Sequence, residues 1–172
     1  MPIALTAYTA EGLLTGWATG EGRLMDLVAM TTSVILDTAV LSPFDGPPQR
    51  VEGRAMVDVD DLMAIVAMPD TATVFHSVWH PITIDFSPYR LSGELPALPG
   101  FDPARALARP TGSFVLVGRA TVELRSAHPT DKASEHDFVW VNRYAVDAVE
   151  SDLDLGFFFP GAHERVVQPA TA

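Results

Sequence analysis

Two histidines, His76 and His80, have the spacing that places two imidazoles on one face of a helix, where they could bind a metal ion. No glutamate follows the first histidine as it does in a zinc-protease helix, and Pro81 directly follows the second. The apolar and aromatic residues around the pair favour the alternative, an irregular linker that packs its aromatic side chains on the rest of the chain. We therefore expect no metal here and keep both histidines as weak candidates.

A second group of side chains able to bind metal lies in the segment between residues 126 and 137. It contains His128, His136 and three carboxylates. A loop between two strands is expected to be polar in any case, and the matching loop earlier in the chain, 42–53, has no histidine. The sequence therefore predicts no metal and no cofactor, with His128 and His136 as the remaining candidates.

Nucleophilic catalysis finds no support in the sequence. The chain has no cysteine, which excludes disulfides, thiolate metal sites and a thiol nucleophile, and no Gly-x-Ser-x-Gly elbow. The glycine-rich segment 16–22 lacks the Lys-Ser/Thr ending of a phosphate-binding loop, so we interpret it as a flexible turn. The acidic residues Asp58, Asp60 and Asp61 could hold a cation or form a solvated strand edge that resists aggregation.

The composition indicates a folded, acidic protein. Of 172 residues, 48% are hydrophobic and 19% charged, which is enough apolar content for a buried core. The balance of 11 basic against 22 acidic residues gives a net charge of −11, which repels nucleic-acid phosphates and anionic lipid. We expect no nucleic acid and no membrane among the partners. Because neither a signal-peptide pattern nor a run of about 18 apolar residues is present, we also expect a cytoplasmic location.

Five short patterns recur in the same order at an offset of about 80 residues, which predicts a tandem repeat. The matched segments are 2–5 with 81–84, 8–14 with 89–95, 27–36 with 107–116, 39–40 with 120–122, and 57–62 with 139–144. The alternative is that any two β-rich halves share valine and leucine. The shared Tyr-x-x-x-Gly-x-Leu pattern of the second match favours duplication.

Each repeat is expected to contain five short strands and one helical turn. Alternating polarity, β-branched residues and helical spacing predict these elements. In the first repeat they are strands 3–9, 13–18, 33–41, 55–59 and 62–67 with a turn at 22–30. In the second they are strands 82–86, 94–97, 113–124, 138–141 and 144–149 with a turn at 102–108. The predicted organisation is a first repeat 1–67, a linker 68–79, a second repeat 80–150 and a tail 151–172.

Three motifs of each repeat resemble the Sm-like, SH3-type small β-barrel family, including bacterial proteins with a tandem layout. They are Gly12–Leu14, Val34–Ala39 and Val57–Val59 in the first repeat, and Gly93–Leu95, Phe114–Leu116 and Val139–Val141 in the second. The resemblance implies a mainly β fold of two tandem small barrels, each with one short helical turn, and edge-to-edge assembly.

The resemblance does not imply RNA binding. Members that bind RNA carry an asparagine before the leucine-rich strand, where Ser33 and Ser113 stand here. They also carry an Arg-Gly pair in the closing hairpin, where Asp60-Asp61 and Asn142-Arg143 stand without a glycine.

The tail contains three consecutive phenylalanines, Phe157, Phe158 and Phe159, which are costly to leave in water. They either cover a sheet edge of their own chain or bind a partner by adding a strand. The leading prediction is a non-enzymatic interaction or assembly module that binds itself as a homo-oligomer, or another protein. The alternative is a metal-dependent or small-ligand enzyme that uses the histidines of the linker or of the second long loop.

Overall fold

The computed structural model describes residues 2–20, 22–68, 74, 77–97, 99–100, 112–125, 133–155 and 158–168. The fold is mainly β, and the chain divides into two compact units, 1–72 and 73–172. No helix in these described ranges is long and apolar enough to cross a membrane. The predicted helical turn at 102–108 lies outside the described residues.

The first unit is an open sheet with one short helix. Its described elements are β1 (Ile3–Thr9), β2 (Gly12–Ala18), α1 (Leu24–Met30), β3 (Ser33–Pro43), β4 (Gln49–Arg50), β5 (Arg54–Asp58) and β6 (Ala64–Met68). The strand order is β6-β1-β2-β3, and β4 and β5 both pair with β3. Leu24 and Val28, one helical turn apart, are the buried residues of α1.

The second unit is built on the same plan. Its described strands are β7 (Val78–Phe86), β8 (Tyr89–Ala97), β9 (Phe114–Leu124), β10 (Ser134–Asn142), β11 (Ala148–Ser151) and β12 (His163–Val166). They lie in the order β12-β11-β7-β8-β9-β10. Strand β7 buries Ile82, Ile84 and Phe86 and turns the residues between them outward, because side chains alternate across a strand. Strand β12 runs parallel to β11 and was not expected from the sequence.

The two units share their strand pairing residue by residue. The pair Ala7–Leu14 of β1 and β2 corresponds to Ile84–Leu91 of β7 and β8. In both units a 3-10 turn, Val59–Asp61 or Arg143–Ala145, precedes the closing strand, which then pairs with the first strand of the unit. The shared register and turn are what a tandem repeat predicts, and its origin by duplication stays a prediction.

Four of the five sequence patterns that suggested the repeat do not match equivalent positions. Tyr8 lies on β1, whereas Tyr89 is the first residue of β8. When the ladders of the two units are compared, Gly93 of β8 is equivalent to Gly16 of β2 and not to Gly12. In three patterns the matched residues are offset from the structurally equivalent positions by an even number of residues. Such an offset preserves the inward and outward alternation of side chains along a strand. The pattern that starts at residue 27 is offset from the equivalent positions by one residue. This offset still matches apolar residues because the strand is apolar on both faces. Only Ala39 and Ala120 are in register.

A bulge at equivalent positions distorts the second strand of each unit. The register shifts between Thr15 and Trp17, and again between Ser92 and Glu94. A Cβ on Gly93 would lie 2.7 Å from Val117 Cγ1 and 2.9 Å from the Gly118 carbonyl oxygen, so glycine is required there.

Two expectations about the fold are corrected. The sheets do not close into barrels in the described residues. The strand that precedes the 3-10 turn of each unit, β5 or β10, takes no part in a ladder with that unit's closing strand, which pairs with the first strand instead. Strand β7 begins at Val78, inside the predicted linker 68–79, because Val78 and Trp79 continue the ladder with Ala97 and Pro96.

Candidate functional site

A groove of about 450 Å³ opens on one face of the second unit and gathers polar side chains from five strands. Its floor is formed by β11, β7 and β8, between β12 on one side and β9 on the other. The lining residues are Thr83, Asp85, Arg90, Ser92, Glu123, Ala148, Val149, Glu150, His163 and Arg165.

Strand register places these side chains in two rows across the sheet. The first row is His163, Ala148, Asp85, Arg90 and Glu123. In the second row Arg165, Glu150, Thr83 and Ser92 follow one another in the same way. Side chains two residues apart on a strand share a face, so the two rows form one continuous polar surface.

The centre of the groove is an ion pair across the β7–β8 hairpin. Arg90 Nε donates to Asp85 Oδ1 at 2.7 Å and Arg90 Nη2 donates to Oδ2 at 3.1 Å, while Arg125 Nη1 lies 3.8 Å from the same carboxylate. The hydrogen bonds from Arg90 hold the pKa of Asp85 below its ordinary value, with help from the charges of Arg90 and Arg125 and against the effect of burial. Asp85 therefore stays ionised at neutral pH.

Two further carboxylates, Glu123 and Glu150, interact electrostatically with Arg90. Its pKa is raised chiefly by the hydrogen bond to Asp85, and the charges of Glu123 and Glu150 add to the rise. Glu150 lies 3.7 Å from Arg165 of β12, and both side chains are largely exposed. The lining thus carries three carboxylates and two guanidinium groups, with the guanidinium of Arg125 beside Asp85.

Strand β12 brings His163 and Arg165 to the groove because the tail folds back on the second unit. His163 N donates to the Asp147 carbonyl at 2.8 Å and Val167 N donates to the Ser151 carbonyl at 2.7 Å. Leu155 N donates to a carboxylate oxygen of Glu164 at 2.5 Å, which fixes the turn before the strand. The tail is part of the site as well as of the fold.

The corresponding face of the first unit has no such charge. Tyr8 stands where Asp85 does, Leu13 where Arg90 does, and Val66 where Glu150 does. Tyr8 and Val66 are buried. The same backbone register therefore carries an uncharged face in one unit, with Ser42 where Glu123 stands, and a charged groove in the other, so the shared register does not depend on these charges.

The structure describes two of the four histidines that the sequence offered as metal candidates, His80 and His136. His76 and His128 lie outside the described residues. His80 is on β7 with its Nδ1 3.4 Å from Asp152 Oδ1, and His136 is on β10, where burial lowers its pKa. Within the described chain, no group of three or more histidine, aspartate or glutamate side chains is arranged to hold a metal ion.

Of the three phenylalanines, Phe157 lies outside the described residues and the other two pack in the second unit. Phe159 is 4% exposed, and Phe158 is half-buried with its ring centroid 5.3 Å from that of Phe159. The buried Arg143 donates from Nε to the Phe158 carbonyl at 2.7 Å and from Nη1 to the Gly112 carbonyl at 3.1 Å. Phe158 and Phe159 therefore pack on their own chain, which is the first of the two alternatives for the tail. Binding of a partner by the three phenylalanines stays a prediction.

Sequence reasoning did not single out the groove residues. Their signal is the strict alternation of Ile82, Ile84 and Phe86 with Thr83 and Asp85, which turns the two polar residues to one face. The start of β8 at Tyr89 was not expected, so Arg90 and Ser92 were left without a strand and their facing positions on β7 could not be seen.

Comparisons with protein-family models, curated proteins and solved structures find no match to this chain.

Proposed function

We propose that the chain is a non-enzymatic interaction module, and that the groove of the second unit binds a partner segment bearing lysine or arginine side chains. The observation that carries the proposal is the pair of charged rows across the groove, whose charged residues on the shared strands are replaced by uncharged ones in the first unit. Charges that the shared fold does not need are best explained by recognition.

The sign of the charge supports a basic partner. Glu123 and Glu150 add two carboxylates around the Asp85–Arg90 pair, and the whole chain carries a net charge of −11. A field of this sign attracts cationic segments and speeds their encounter. The state of Asp85 supports binding over acid catalysis, because a carboxyl whose pKa is lowered by Arg90 is neither a proton donor nor a strong base near neutral pH.

We also propose that each unit is related to the small SH3/Sm-like β-barrel family. It is supported by the shared strand order, in which the closing strand follows a 3-10 turn and pairs with the first strand. The partner is a second copy of the chain or another protein.

The test is a titration of the isotope-labelled protein with a short lysine-rich peptide and with its glutamate-rich counterpart. We expect only the basic peptide to shift the amide resonances of Thr83, Asp85 and Glu150, and the affinity to fall as salt rises. The double variant Glu123→Gln, Glu150→Gln should weaken binding about 10-fold, since each lost charge removes a modest surface attraction.

A matched control is Glu52→Gln, an exposed glutamate in the first unit, which should bind the peptide as the natural sequence does. Equal binding of the acidic peptide, or basic-peptide binding that the double variant leaves unchanged, would overturn the proposal.

A further inference from the structure

The strand β5 has one edge that no strand of the described chain covers. It pairs with β3 alone, from Asp37–Arg54 to Ser33–Asp58. An uncovered edge presents unpaired N–H and C=O groups and is a template for another strand. Its central side chain, Met56, is 74% exposed, and its neighbour across the ladder, Ile35, is 39% exposed. The edge is therefore flanked by apolar surface.

The backbone groups that face this edge can be identified from the ladder. Val59 N donates to the Thr32 carbonyl at 2.9 Å, one step beyond the Ser33–Asp58 pair. Residues of an antiparallel strand alternate between bonding to the neighbour and facing away from it. Counting back from Val59, residues 57 and 55 bond to β3, whereas residues 54, 56 and 58 direct their N–H and C=O groups outward.

The outward residues Arg54, Met56 and Asp58 are complementary in charge to the same three residues of a second, antiparallel copy of the strand. In an antiparallel pair centred on Met56, each Arg54 lies opposite Asp58 of the second copy, and the two Met56 residues face each other. Opposite charges at directly opposed positions stabilise a strand pair, and like charges would oppose it. Within one chain, Arg54 Nε lies 2.9 Å from Asp37 Oδ1 across the β3–β5 ladder, and the Arg54 side chain is 71% exposed.

We infer that β5 pairs antiparallel with β5 of a second copy of this chain, which forms a two-fold symmetric dimer. The interface is isologous, so it closes at two chains. It buries one short strand and its flanking apolar side chains, and it therefore forms a weak dimer that depends on concentration. The dimer does not involve the groove of the second unit and stands independently of the proposed function.

The first test is the mass of the natural sequence by sedimentation velocity between about 10 µM and about 1 mM. We expect the average mass to rise toward that of a dimer and no further. A chain that stays monomeric over the whole range, or that forms larger species, would overturn the inference.

The second test uses complementary charge variants. Asp58→Arg alone opposes arginine to arginine across the pair, and Arg54→Asp alone opposes aspartate to aspartate. Each variant should dimerise at least about 10-fold more weakly than the natural sequence, and an equimolar mixture of the two should recover most of the loss by forming a heterodimer. Arg23→Asp and Asp45→Arg, exposed charges of the same unit outside β5, are the matched controls and should dimerise normally. Folded variants that dimerise normally alone, or a mixture that stays monomeric, would contradict the pairing.

A third test keeps the charges unchanged. The chain has no cysteine, so Met56→Cys introduces a single thiol. Facing residues of a hydrogen-bonded antiparallel pair have Cα atoms about 5.5 Å apart, which a disulfide can span. Under mild oxidation Met56→Cys should become a linked dimer at least about 10-fold faster than Met30→Cys, whose site on α1 is more exposed. Equal rates of crosslinking at the two sites would count against the pairing.

Discussion

At the scale of single residues, the pair Asp85–Arg90 is both the centre of the groove and a source of stability. Asp85 is 14% exposed at its side chain and Arg90 41%, so the pair is partly screened by solvent. Two hydrogen bonds between ionised groups still favour the charged carboxylate over the neutral acid. The same bonds that lower the pKa of Asp85 therefore link folding to pH.

The sign of this link follows from the direction of the pKa shift. Because the folded pKa of Asp85 is lower than the unfolded one, its contribution is fully present above the unfolded value and is lost as pH falls through the folded value. We expect Asp85→Asn to reduce the free energy of unfolding by about 1 kcal/mol at pH 7 and by less near pH 3. Urea unfolding of both proteins at the two pH values measures the difference, and Asp45→Asn, an exposed loop carboxyl, is the control. An equal loss at both pH values would show that the charge of Asp85 does not carry the effect.

At the scale of elements, most strands could be predicted because their inward residues repeat every second position. The alternation in β1, β7 and β10 is a local signal, and so is the β-branched composition of β3. The alignment between the two units could not be predicted, because a slip of two residues leaves the same alternation in place. Strand β12 was missed for a related reason: its four residues, largely exposed, carry no buried stripe, and its pairing with β11 depends on contacts distant in sequence.

The tail that carries β12 depends on a few buried side chains. Leu155 is 1% exposed and Phe159 4% exposed, and they precede a strand that is itself largely solvent-exposed. We expect Phe159→Ala to reduce the free energy of unfolding by about 3–5 kcal/mol, since it removes a buried ring and leaves a cavity. Chemical denaturation measures this loss, and Val166→Ala on the exposed strand should cost less than about 0.5 kcal/mol.

The same variant separates the two roles considered for the phenylalanines. If Phe159 packs within the second unit, Phe159→Ala lowers stability and leaves the mass of the particle unchanged. If Phe159 is held by a partner chain, stability of the single chain is unchanged and the assembly becomes smaller. The second result would contradict the internal packing.

At the scale of the whole molecule, the acidic balance decides which classes of partner the charge can attract. The net charge of −11 and the departures from the RNA-binding Sm-like pattern both oppose a polyanion. Arg143, which stands in the closing hairpin where RNA-binding members carry their Arg-Gly pair, is 4% exposed and donates to backbone carbonyls of its own unit. This expectation follows from composition alone, whereas the groove depended on strands whose register the sequence did not specify.

We therefore expect single-stranded RNA to bind no more tightly than about 10⁻⁶ M at about 150 mM salt, because few phosphate charges can be neutralised and few counterions released. Fluorescence anisotropy with a labelled uridine-rich oligonucleotide measures the affinity, and the lysine-rich peptide under the same conditions is the matched cationic ligand. If charge governs recognition, lower salt strengthens the peptide complex and leaves the RNA unbound. Submicromolar RNA binding with a steep salt dependence would mean that a basic surface exists despite the net charge, and it would contradict the assignment of the groove to basic partners.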